Sequence, residues 1–133
     1  MSTRDAQAPA DAQFMQRWSP RAFNGAALNH DQVMALIEAA RWAPSCFNSQ
    51  PWRFVYAIKG SEHWPAMLAL LMDMNQTWAQ HAGALIAVVS RTTYQGNDAP
   101  APTHSFDTGA AWMSLALQAQ SMGLASHAMW GIE

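Results

Sequence analysis

The chain has 133 residues, 50% hydrophobic and only 12% charged, with seven Trp, nine Met and 7 basic against 9 acidic residues for a net charge of -2. That is one domain's length, with more apolar mass than a small sphere hides, so a subunit interface or a bound apolar ligand is expected. The lack of a basic run argues against nucleic acid as a partner, and the single Cys46 excludes an internal disulfide framework and fits a reducing, cytoplasmic setting.

Residues 1–10 are expected to form a flexible tail; they lack the apolar stretch of a signal peptide. "DAQFMQRW" (11–18) fits a short helix, and Pro20 then drives Ser19 into an extended path. A helix is well signalled from Asn29, its expected cap, with Asp31 in the first turn and Val33, Leu36, Ile37 and Ala40 at helical spacing until Pro44. "WRFVYAI" (52–58), bounded by Pro51 and Gly60, reads as a strand. One helical stretch is expected from Ser61 through Met74, with Pro65 near its start. "GALIAVVS" (83–90) reads as a buried strand and 91–104 as a loop. A long helix capped by Ser105 or Asp107 then runs to Gly123. "LASHAMWGIE" closes the chain as a further strand. No apolar run nears the ~20 residues a membrane-spanning helix needs.

Three stretches carry chemistry. In "RWSPRAF" (17–23), an extended backbone would place Arg17, Ser19 and Arg21 in one row, two guanidinium forks and a hydroxyl suited to a dianionic phosphate. A solvated basic turn is the alternative on pattern alone. In "APSCFNSQPWRF" (43–54), Pro44 and Pro51 bracket an irregular segment. An extended path there would aim the Asn48 and Gln50 amides the same way, matching a heterocycle edge that alternates N–H and C=O, as a flavin pyrimidine does. The alternative is a polar loop bonding its own backbone. In "GLASHAMWG" (123–131), small residues and Gly131 would let backbone amides approach a ligand, or form an ordinary edge strand. Cys46 has no His or Asp nearby in sequence to activate it, and the five His show no metal-ligand spacing.

In order, "RWSPRAF", "AARWAPSCFNSQPWRFVYA", "ALIAVVS" and "DTGAAWMSLALQAQSMGLASHAMWG" resemble the FMN-dependent nitroreductase family. The resemblance implies an α+β fold, a mostly antiparallel sheet flanked by helices, and an intertwined homodimer with FMN at its interface. It implies that Arg17, Trp18, Ser19 and Arg21 meet the phosphate and ribityl chain. Pro44, Ser45, Asn48 and Gln50 would meet the flavin of the partner subunit, and Met129, Trp130 and Gly131 would lie against the ring near N5. The implied reaction is a ping-pong exchange from NAD(P)H through FMN to a small-molecule electron acceptor, such as a nitroaromatic or a quinone, with no catalytic side chain. A relative that dehalogenates or fragments a flavin, and a catalytically silent FMN-binding or interaction domain, are the alternatives. Family members usually continue past the position of Glu133, with a further strand and a basic residue near the phosphate. A chain ending there is expected to hold FMN roughly ten to a hundred times more weakly.

Overall fold

In a computed structural model of the chain, residue 4 and residues 6–132 are described. Part of the expected tail, and Glu133, lie outside them. Arg4 donates from Nη1 to the carbonyl of Arg17 at 2.9 Å, at the end of the short helix α1, Ala12–Gln16. Helix α2, His30–Arg41, starts from a reciprocal capping box. Asn29 Oδ1 accepts from the Gln32 N–H at 2.8 Å, and Gln32 Oε1 accepts from the Asn29 N–H at 2.9 Å. The helix stops at Arg41, short of Pro44, because the residue before a proline is pushed out of helical conformation.

Strand β1, Trp52–Ile58, pairs antiparallel with β2, Ala84–Ser90, from Trp52 opposite Ser90 to Ile58 opposite Ala84. Among the described residues β2 has no strand on its other edge. The long helix α5, His104–Ser121, packs on α2 and against both strands of the sheet. Small side chains at the contact, Ala40, Ala111 and Ala119, let the elements approach around Leu36, Trp52 and Leu115. A second apolar cluster, Leu71, Ala79, Ala82 and Leu85, sits under Phe23, Trp78 and Met129.

The structure corrects three expectations. The stretch 61–74 is not one helix but α3, Trp64–Ala69, and the start of α4, Asp73–Ala79. Between them Leu71 bridges to Ile132, and the Met72 N–H donates to the Gly131 carbonyl at 3.0 Å. That tertiary pairing takes the chain out of helical conformation at Met72, whose ψ is 145°. Next, neither Ser105 nor Asp107 caps α5; the cap position is Thr103, with no side-chain cap bond, and Asp107 turns inward. Finally, the strand expected over 124–133 is irregular through Gly131, with a single bridge pairing Ile132 to Leu71; Glu133 lies outside the described residues.

Gly83, at the head of β2, is where residues 26–28 cross the sheet. Its carbonyl accepts from Leu28 N–H at 3.3 Å and from Lys59 N–H at 3.0 Å. A Cβ there would lie 2.3 Å from the carbonyl oxygen of Ala26. Only glycine permits that approach.

Candidate functional site

Arg17 leaves α1 in extended conformation, with φ -67° and ψ 128°, and the irregular path that follows bends at Arg21. Arg17 Nη1 donates to Ser19 Oγ at 3.3 Å, and Ser19 and Arg21 are exposed while Pro20 between them is buried. Among the described residues neither Arg17 nor Arg21 enters an ion pair. Arg21 and Ser19 are thus exposed and Arg17 half-buried, with no acidic partner for either guanidinium among the described residues, and this donor set suits a phosphate monoester. Trp18 is half exposed beside them.

The structure joins this row to the last stretch. His127 Nδ1 donates to the Pro20 carbonyl at 2.9 Å, and its ring lies 4.7 Å from that of Trp78. Nothing in the spacing of the histidines foretold this role. Beyond His127, Met129 packs into the second apolar cluster while Trp130 is 97% exposed. Gly131 is buried, and its glycine character has a cause within the chain, its φ of 126°, a backbone conformation that side-chain-bearing residues rarely adopt.

Residues 45–50 form the other half. A single 3₁₀ turn, Cys46–Asn48, follows the exposed Pro44. The extended path expected here is replaced by left-handed backbone, with φ 51° at Phe47, 53° at Asn48 and 46° at Gln50. Even so, the two amides meet: Gln50 Nε2 donates to Asn48 Oδ1 at 3.0 Å, and both side chains are exposed. Each such non-glycine residue costs about 1 kcal/mol or more, so the turn needs bracing. Ser45 supplies part of it, its carbonyl accepting from Asn48 N–H and its Oγ from Gln50 N–H, both at 3.0 Å. Tyr94 donates to Cys46 Sγ at 3.7 Å, a bond that raises the phenol pKa, and its ring meets Phe47 edge-on.

The structure thus joins Arg17 to Ser19, Asn48 to Gln50, and the arginine segment to residues 123–131. Among the described residues no hydrogen bond links the amide pair to the arginine row. A cavity of about 680 Å³ lies between β2, α5 and residues 123–129. Of the expected site residues only Met129 lines it. Thr108 Oγ1 and Ser126 Oγ, both at this cavity, are buried without a partner among the described residues. No three His, Cys, Asp or Glu side chains there converge as a metal site, and no described helix is long and apolar enough to cross a membrane.

The sequence model of the Nitroreductase family matches residues 14–133. The chain belongs to the nitroreductase family. Among solved structures this nitroreductase-family chain is similar to "the oxidoreductase containing FMN", at 48% identity and a TM-score of 0.92, over 97% of this chain and 67% of that one. A nitroreductase family protein from Streptococcus pneumoniae matches at 19% identity and a TM-score of 0.76, over 92% of this chain and 76% of that one. A protein from Desulfovibrio desulfuricans, solved in complex with FMN, matches at 23% and 0.68, over 84% of this chain and 62% of that one. At that identity the last two show the fold alone. The α+β architecture, helices around an antiparallel sheet, is that of the family. Among curated proteins no match is found.

Proposed function

We propose that the chain is an FMN-dependent oxidoreductase, a cytoplasmic homodimer that draws electrons from NAD(P)H and passes them to a nitroaromatic, a quinone or a similar small acceptor. The observation that carries this reading is the half-buried Arg17 bonded to the exposed Ser19, with the exposed Arg21 next to them and no ion-pair partner for either arginine among the described residues. The 48% identical structure, described as an oxidoreductase containing FMN, supports it. FMN, when bound, supplies reversible two-electron chemistry that no side chain offers.

The chain's own residues bind and orient. Arg17, Ser19 and Arg21 hold the phosphate, with Trp18 beside the ribityl chain. Asn48 and Gln50, carried by Pro44 and Ser45, offer their amides to the pyrimidine edge across the subunit interface. Met129, Trp130 and Gly131 line the ring. That the amide pair and the arginine row are not bonded within one chain favours a site completed by two subunits. So does the exposure of Trp42, Phe47, Phe106 and Trp130, apolar area that a partner would cover.

The test compares FMN with riboflavin, which lacks the phosphate. In Arg21→Ala, FMN affinity should fall about tenfold or more while riboflavin affinity stays the same. Equal loss for both would remove the phosphate assignment. FMN uptake without any NAD(P)H oxidation would leave a silent binder in place of an enzyme.

A further inference from the structure

The turn that carries Asn48 and Gln50 holds three left-handed residues, Phe47, Asn48 and Gln50, a conformation that persists only where the surroundings impose it. Most of its hydrogen bonds come from its own neighbours. Ser45 receives the N–H groups of Asn48 and Gln50, Cys46 O receives Ser49 N–H, and Arg53 Nη1 donates to Gln50 O. These local bonds shape the turn, and the one from Arg53 ties its end to the adjoining strand β1. Besides that bond from β1, two hydrogen bonds among the described residues reach the turn from elements distant in sequence. One is the long bond from Tyr94 to the Cys46 sulfur. The other is to Asp107, on the first turn of α5.

Asp107 is 4% exposed. Its Oδ2 accepts from the Cys46 N–H at 3.2 Å and from Thr103 Oγ1 at 3.0 Å. A buried carboxylate needs such donors, and the dipole at the start of α5 further offsets its burial. We propose that Asp107 is the positioning residue for the Asn48–Gln50 amide pair: anchored on α5, its carboxylate holds the Cys46 N–H and so sets the turn that brings the two amides together. Cys46 opens the turn, so a carboxylate fixed on the longest helix determines where the next four residues begin. The Thr103 bond locks the carboxylate's own orientation. This role rests on the reading of Asn48 and Gln50 as flavin contacts, and it assigns to Asp107 no contact with the flavin itself.

One oxygen of Asp107 accepts both bonds, so an amide can replace it and a hydrocarbon cannot. Asp107→Asn and Asp107→Leu, made in the full chain, separate the two. Two readouts are taken: FMN and riboflavin affinity by quenching of flavin fluorescence, and amide exchange at Cys46 in the flavin-free protein. In Asp107→Leu, both flavins should bind roughly tenfold more weakly, because both share the pyrimidine edge, and the Cys46 amide should exchange faster. Asp107→Asn should restore both readouts. Should Asp107→Leu lose its helical circular dichroism, Asp107→Ser, too short to reach Cys46, is measured instead with the same expectations. Unaltered Cys46 exchange, a loss confined to FMN, or an Asn variant as weak as the Leu variant would each overturn the proposal. Flavin binding that ignores Asp107→Leu overturns the positioning role alone. A wild-type chain that takes up neither flavin overturns the flavin reading, and this role with it.

Discussion

Replacing Gly83 by alanine adds one methyl group at the point where residues 26–28 cross the head of β2. The added Cβ would lie 2.3 Å from Ala26 O, 3.2 Å from Leu28 N and 3.3 Å from Leu28 Cγ. Carbon and oxygen are comfortable only well beyond 3 Å, so one backbone must retreat by about 1 Å. The obstacle is a carbonyl, which has no rotamer by which to move aside. Retreat lengthens the Leu28 N–H bond to Gly83 O, already 3.3 Å. Overpacking costs about 1–3 kcal/mol and the weakened bond about 1 kcal/mol more, so Gly83→Ala should lose about 2–4 kcal/mol. For a chain of this length that is a fall in Tm of about 6–20 °C, read by thermal unfolding under far-UV circular dichroism. Gly109→Ala is the matched control. Gly109 sits exposed within α5 with nothing within 4 Å of the added Cβ. There alanine should stabilise by about 0.5–1 kcal/mol, since it loses less backbone entropy in a helix. A Gly83→Ala protein melting within about 2 °C of wild type would refute the argument.

Two further expectations concern α2. Asn29→Ala removes the side-chain oxygen that accepts from Gln32 N–H, and should cost about 0.5–2 kcal/mol, read as a lower denaturant midpoint with an unchanged slope. On the exposed face, Glu38 is lowered to about 2 by its hydrogen bond to Arg41 and then by that to Trp42. Its folded pKa lies below the unfolded one, so its stabilisation is present above the usual carboxylate range and lost as pH falls towards 2. Melting curves of Glu38→Gln and wild type should therefore converge on acidification through that window; a gap that stays constant from neutral pH to the acid limit would contradict the ion pair's role.

Local signals were legible where one residue's neighbours in sequence are also its neighbours in space. Strand β1 could be read at Trp52–Ile58 because aromatic and β-branched residues lie between Pro51 and Gly60, and Asn29 announced α2 because its partner Gln32 is three positions on. The break between α3 and α4 was not legible, since it depends on Leu71 meeting Ile132 at the far end of the chain. Asp107 looked like a cap because acidic residues favour helix starts; its real partner, the Cys46 N–H, comes from a distant turn. Of the candidate site, the residue types of the arginine row and the amide pair were readable. The left-handed backbone at Phe47, Asn48 and Gln50 was not, because the bonds that hold the turn come partly from α5 and Tyr94. His127 was invisible for the same reason, its Pro20 partner lying at the other end of the chain.

The bare side of β2 has a consequence for the behaviour of the chain in concentrated solution. Residues 84–90 read "ALIAVVS", with no lysine, glutamate or proline to discourage another backbone from docking. Val88 and Val89 are already 37% and 50% exposed, so the edge combines β-branched side chains with N–H and C=O groups that no strand among the described residues pairs. The first charged gatekeeper is Arg91, and its guanidinium is engaged with Asp98. An extended segment arriving at this edge meets a template that is apolar, uncharged and in register over seven residues. The same geometry that makes the strand easy to read makes it adhesive.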